Sequence, residues 1–169
     1  LSPSSTINEA EIGLDLLTKT PPPLPIKTTV GVHPYHVNDE ELKNQSLEQY
    51  SEMMKSLIGN NLDKCAAVGE CGLDASDGFP PLEDQIPWFR LQVQLSNEFN
   101  LPLFVHERLA FDQTLEILEN AKTPVIIHCF TGTKEQCIEY IRRGYYISVS
   151  GYILKETNTN YEDVLNCLK

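Results

Sequence analysis

Three residues in this chain combine useful chemistry with suggestive placement: Glu70, His106 and His128. Each follows a short apolar run, Cys65-Ala-Ala-Val-Gly before Glu70, Leu101-Pro-Leu-Phe-Val before His106 and Val125-Ile-Ile before His128. Such runs read as buried strands. In an α/β protein with parallel strands, their C-terminal ends share one rim, where βα loops build active sites. Two imidazoles and a carboxylate converging there can ligate a divalent metal. A neutral imidazole in that role needs an acceptor behind it for its other ring nitrogen. The plainer alternatives are a solvated acid at a strand-end turn for Glu70 and satisfied core residues for the histidines. Two histidines on successive units weigh toward ligation.

Other groups lie on the same expected rim. Glycines 69 and 72 flank Glu70 and let the backbone turn tightly near a ligand. The segment Gly31-Val-His-Pro-Tyr-His36 follows another strand and carries His33 and His36. These imidazoles could contact phosphate or a base, or simply lie exposed on a turn made by Pro34. Arg108 could hold a phosphate oxygen or make a surface ion pair. Phe130-Thr-Gly-Thr133 precedes a helix N-terminus, a weak anion signal. Cys71 and Cys129 neighbour the proposed ligands and read as small buried residues rather than nucleophiles.

The elements that must position these residues are legible as alternating strands and helices. Strands are expected at 26–32, 65–69, 101–105, 124–128 and 145–149. Ser46 with Gln49 forms a capping box that opens a helix running to Gly59, with a stripe of Leu47, Tyr50, Met54, Leu57 and Ile58. A second helix spans Leu82 to Phe99, with Pro87 in its first turn or kinking it. A third covers Phe111 to Asn120. A fourth begins at Thr133, with a capping box to Gln136, and stops at Gly144. A last helix is expected over Tyr161 to Leu168. Before the first strand, Ile12, Leu14, Leu16 and Leu17 hint at a helix, and Pro21-Pro22-Pro23 reads as an extended connector. Alternation of this kind implies a parallel sheet with right-handed crossovers.

Composition narrows the class. The 169 residues are 41% hydrophobic and 22% charged, as expected of one globular domain. No apolar run is long enough for a bilayer span, and no secretory signal opens the chain. The first residue is Leu, which suggests processing, truncation or an incomplete gene model. Five cysteines without paired spacing argue against a disulfide framework and for the cytoplasm or nucleus. A formal charge of −11 disfavours broad non-specific nucleic-acid binding. It is compatible with a nuclease whose bound cations supply positive charge at the phosphate.

Taken together, the motifs resemble the TatD family of metal-dependent deoxyribonucleases, within the amidohydrolase-like TIM barrels. The matching stretches are Val30-Gly-Val-His-Pro34, Ala67-Val-Gly-Glu-Cys-Gly-Leu-Asp74, Leu101-Pro-Leu-Phe-Val-His-Glu-Arg108, Ile127-His-Cys-Phe-Thr-Gly132 and Gly144-Tyr-Tyr-Ile-Ser-Val-Ser-Gly151. Gln85, Phe89 and Gln92 also fit. The resemblance implies a single α/β domain over 1–169, a partial (β/α)8 barrel lacking the first strand, most of the second and the eighth. It implies that Glu70 is catalytic and shared by metals, that His106 and His128 complete one metal subsite, and that His33, His36 and Arg108 face substrate. The implied cofactors are divalent ions (Mg, Mn or Zn), two in the family and one here. The implied substrate is DNA, with no membrane partner. The His-x-His pair and the late Glu-Thr-Asp of the family are not found, so the expectation is a nuclease in its complete form and an inactive or weakly active chain here. The alternative is a non-catalytic relative that binds metal or protein. A different amidohydrolase acting on an amide or ester is disfavoured, because Glu70 stands where a carboxylated lysine would bridge.

Overall fold

The computed structural model describes residues 1–20 and 22–154, together with Glu162 and Leu165. In chain order the elements are α1 (Ile7–Lys19), β1 (Thr28–Val30), α2 (Leu47–Gly59), β2 (Cys65–Asp74), α3 (Leu82–Phe99), β3 (Leu103–Arg108), α4 (Phe111–Leu118), β4 (Val125–His128), α5 (Lys134–Arg142) and β5 (Tyr146–Ile147). Short 3-10 turns occupy Pro34–His36, Glu40–Asn44 and Gly151–Leu154. The strands form one sheet in the order β1-β2-β3-β4-β5, with every pairing parallel. Sequential order with a helix between neighbours is the expected outcome of βα units wound in one direction. Apart from Glu162 and Leu165, the helix expected over 161–168 lies outside the described residues.

Local chemistry explains the boundaries. Both expected capping boxes form, at Ser46/Gln49 and Thr133/Gln136. Each satisfies two otherwise orphaned backbone N–H groups. Pro87 sits inside α3, past the first turn, rather than at its start. α1 is a full helix whose N-cap is Thr6, its side chain accepting from the N–H of Glu9. Its buried stripe is Ile7, Ala10 and Leu14, while Ile12 and Leu16 face outward. β2 is buried at nearly every position, as expected of a central parallel strand covered on both faces. Its neighbours contribute Val30, Leu103, Val105 and Ile127 to the same core, against Met54 and Ile58 of α2 and Phe89 and Leu95 of α3.

Ahead of α1, Ser2 makes a parallel bridge to Thr28, and Ser4 donates from its N–H to Thr29 Oγ1 at 2.9 Å and from its hydroxyl to the Thr29 carbonyl at 2.7 Å. The segment therefore runs alongside β1 like the end of a further parallel strand. Among the described residues, no helix is long and apolar enough to cross a membrane.

Candidate metal centre

β2 does not end before Glu70 but continues to Asp74. Its register against β3 shifts between Gly69 and Cys71, so Glu70 sits at a bulge. A bulge leaves one residue unpaired and re-aims its side chain. Glu70 finds its backbone partner elsewhere, donating its N–H to the carbonyl of Ser4 at 2.9 Å. The flanking glycines make this route possible. Both have φ in the region that side chains avoid, +143° at Gly69 and +130° at Gly72. A Cβ at Gly69 would collide with the carbonyl oxygen of Phe104, and one at Gly72 with that of His106.

The strand ends bring Glu70, His33 and His106 together, with their potential ligand atoms all within 4.8 Å of one another. Glu70 Oε1 is 3.5 Å from His106 Nδ1 and 3.8 Å from His33 Nε2. The His33 and His106 rings meet edge to face at 4.6 Å. All three side chains are largely buried, so their charges are weakly screened.

Behind His106 stands Asp74, fully buried, with Oδ2 2.7 Å from Nε2. A carboxylate there accepts, which places a proton on Nε2 and leaves Nδ1 aimed at Glu70. This carboxylate–histidine arrangement orients many metal-bound imidazoles. Ser76 N–H also donates to Asp74 at 2.8 Å. Burial alone would push the Asp74 carboxyl up, but the bonds from His106 and Ser76 outweigh it and hold it below the usual carboxylate range. Glu70 behaves alike: burial is outweighed by the His106 hydrogen bond and the nearby charges of His33, His106 and His128. For His106, burial would favour the neutral ring, yet bonds to Asp74 and Glu70 raise its pKa. Nδ1 is thus a site for which a proton and a cation compete.

His33 is as close to Glu70 but differently prepared. Its Nδ1 accepts the N–H of Tyr35 at 3.1 Å, capping the 3-10 turn. The ring proton therefore lies on Nε2, facing Glu70. Burial, then the charge of His106, lowers its pKa to about 4. Near neutral pH it is a neutral hydrogen-bond donor. Proximity groups His33 with the ligands, whereas its tautomer suits it to donate to a carboxylate or phosphate oxygen.

The remaining predicted residues spread along the rim. His128 is the last residue of β4 and the register partner of His106. Its Nδ1 lies 3.3 Å from Ser148 Oγ, and its ring packs on Phe104 at 4.5 Å. His36 Nδ1 is 2.8 Å from Asp39 Oδ2. Those two line a cleft with Ile7, Glu11 and Tyr50, and the His36 ring lies 6.4 Å from that of His33. Arg108 closes β3, its guanidinium 4.7 Å from the ring centre of Tyr152. Glu107, between His106 and Arg108, points to the opposite face. There it accepts from the N–H of Ala110 and the hydroxyl of Tyr140, and burial raises its pKa.

Two glutamines from α3 fix the ends of the strands that carry the site. Gln92 accepts from the N–H of Val32 at 2.8 Å and donates to its carbonyl at 3.0 Å, one residue before His33. Gln85 does the same for Asp74, at 2.8 Å in both directions. Both are fully buried. Sequence reasoning did not assign these roles, nor the orienting role of Asp74. A signal for Asp74 existed: it lies four residues from Glu70 in an extended segment, an even spacing that keeps both carboxyl groups on one face.

Comparison with known proteins agrees with this fold. The family model "TatD related DNase" matches residues 4–169. The chain is 34% identical over 133 residues to the 3'-5' ssDNA/RNA exonuclease TatD of Citrobacter koseri, covering 76% of this chain and 48% of that protein. It is 30% identical over 157 residues to the protein of the same description from Salmonella typhimurium, covering 90% of this chain and 55% of that one. It therefore spans about half the length of the curated relatives it matches. Among solved structures, a TatD family hydrolase from Entamoeba histolytica superposes with a TM-score of 0.81 at 28% identity, over 98% of this chain and 54% of the other. YJJV, a TatD homolog from Escherichia coli, matches with a TM-score of 0.78 at 24% identity, over 96% of this chain and 60% of that one, and supports the fold alone. With the parallel βα order, the Glu70 bulge and the match over residues 4–169 on the page, the chain belongs to the TatD-related DNase family.

Proposed function

We propose that the protein is a metal-dependent nuclease that hydrolyses phosphodiester bonds of DNA from strand ends, in the cytoplasm or nucleus, through one metallohydrolase domain to which residues 1–169 belong. Glu70, His106 and His128 hold a divalent ion (Mg, Mn or Zn), and His33, His36 and Arg108 face the substrate. The observation that carries this reading is the bracketing of His106, with Asp74 at 2.7 Å on one ring nitrogen and Glu70 at 3.5 Å from the other. That donor set fits a divalent ion. Asp74 fixes the tautomer, Nδ1 offers its lone pair, and the low pKa of Glu70 keeps a carboxylate opposite it.

A bound divalent ion supplies positive charge at the phosphate and lowers the pKa of a water. The chain's own residues do the rest. Glu70 orients the cation beside the strand ends. His33, neutral and donating from Nε2, reaches toward an oxygen at the same place. The names of the relatives, 3'-5' ssDNA/RNA exonucleases, support removal of nucleotides from unpaired 3' ends.

A second reading, a relative that binds metal or protein without turnover, draws on the single cluster of this kind among the described residues. One experiment separates the two. The chelator-stripped protein is given Mg²⁺, Mn²⁺ or Zn²⁺ and a labelled single-stranded oligonucleotide, and nucleotide release is followed. Metal-dependent release by the complete domain, abolished by Glu70→Ala, is the expected outcome, with weak or no release by residues 1–169 alone. Metal binding without release supports the second reading, and no metal binding at all overturns both the site and the function.

A further inference from the structure

We propose that Tyr35 and Phe79 form a stacking platform for an unpaired nucleobase beside the phosphate held at the Glu70–His106 centre. This inference rests on the nuclease reading and specifies how its substrate is gripped. Phe79 lies 6.2 Å, ring to ring, from both His33 and His106, and is nearly parallel to His106, with 15° between planes. Tyr35 meets Phe79 edge to face at 5.3 Å and His36 at 5.2 Å. An aromatic wall thus begins at the proposed metal ligand and ends at a ring that is 54% exposed. With both neighbours set nearly perpendicular to it and more than half of its surface open, Tyr35 offers ring area to another flat ring.

The wall is held in place before any ligand arrives. Tyr35 is fixed by its N–H bond to His33 in the 3-10 turn. Phe79 belongs to the loop between β2 and α3. That loop is pinned by Ala75 N–H to the Arg108 carbonyl at 3.0 Å and by Ser76 N–H to Asp74 at 2.8 Å. Both rings are therefore tied through short contacts to the residues that flank the metal centre.

Charge gives a second, independent argument. With a formal charge of −11, the chain cannot rely on a broad basic surface to hold a polyanion. Stacking on aromatic rings is the uncharged means of holding single-stranded nucleic acid, and it accepts any base. A base inside a duplex has both faces covered by its neighbours and cannot lie on Tyr35, so the platform favours unpaired strands.

The test is equilibrium binding, with a chelator present so that neither strand is cut, of two short oligonucleotides of equal length and charge, one of thymidines and one with abasic positions throughout. Wild-type protein is expected to prefer the base-bearing strand by roughly tenfold or more, the span of one stacked base. Tyr35→Ala and Phe79→Ala should lose that preference, while Tyr35→Phe retains it. Melting temperature confirms that each variant is folded. Equal affinity of the wild type for both strands overturns the proposal, as does a preference that survives both alanine variants. The nuclease reading fails separately: a protein that prefers bases but releases no nucleotides has the platform and lacks the turnover.

Discussion

The two sides of the sheet are built to different standards. Strand pairing is longest between β2 and β3, with six register partners, and α3 lays two buried glutamines onto the strand ends on that side. From β4 to β5, only two residue pairs join the strands, and Tyr146, Ile138 and Ile141 are exposed. The site follows the same division. His33 and His106 each have one ring nitrogen committed to a partner, Tyr35 or Asp74, and the other facing Glu70. His128 has a 3.3 Å contact with a serine hydroxyl, a group that can donate or accept. Preorganisation is therefore concentrated around Glu70, and His128 is the adaptable member of the set.

The contrast can be broken most forcefully at Asp74. Asp74→Asn keeps the shape but replaces an acceptor-only carboxylate with an amide. It frees the His106 tautomer and should cost about 10–100-fold in metal affinity, read by titration calorimetry with Mn²⁺ or Zn²⁺. An unchanged affinity would mean that Asp74 does not orient the ligand.

A pH effect on the metal-free protein probes the same side of the sheet. His33 binds a proton less readily folded, with a pKa of about 4, than unfolded, where it is near 6.5. Its contribution to stability is therefore complete above about pH 6.5 and is lost as pH falls toward 4. The slope is about 1.4 kcal/mol per pH unit across that window. Denaturant unfolding of the chelated protein measures it, and His33→Asn should remove that component. A variant whose stability falls as steeply as the wild type's would show that other groups carry the loss.

The smallest effect is expected on the other side of the sheet. Ser148→Ala removes the hydroxyl that meets His128 Nδ1 and the N–H of Cys129. It should lower stability by about 1 kcal/mol and leave metal affinity within a few-fold of the wild type. A loss as large as that of Asp74→Asn would show that the two sides are equally preorganised.

Much of this was legible in the sequence, because the signals were local. Capping boxes at Ser46 and Thr133, apolar runs of strand length and helical stripes between them specify alternating parallel units. α1 was half visible. The hydrophobic residues that caught the eye included Ile12 and Leu16, which face solvent, while the Thr6 cap and the Ile7, Ala10, Leu14 stripe define the helix. What was hidden depends on partners distant in the chain. Gln85 and Gln92 share the helical face of Phe89, so periodicity points them to the core, but burying polar side chains there makes sense only once Asp74 and Val32 lie opposite. The roles of the two nearest histidines turn on which nitrogen meets a backbone N–H and which a carboxylate, and spacing cannot show that. The sequence grouped His33 with substrate and His106 with metal by resemblance. The structure brings His33 as close to Glu70 as His106, and the hydrogen bonds then give the two rings opposite proton placements toward it.

That division is the central claim, and the protonation of the ring nitrogens tests it most directly. Nitrogen-15 NMR of the histidine side chains, recorded on the chelated protein near neutral pH and again after Zn²⁺ is added, reads each nitrogen separately. His33 should carry its proton on Nε2 throughout, with Nδ1 unprotonated. His106 should keep the Nε2 proton facing Asp74, and its Nδ1 resonance should move when Zn²⁺ binds. Loss of the His33 Nε2 proton on adding Zn²⁺, or an unmoved His106 Nδ1, would contradict the account.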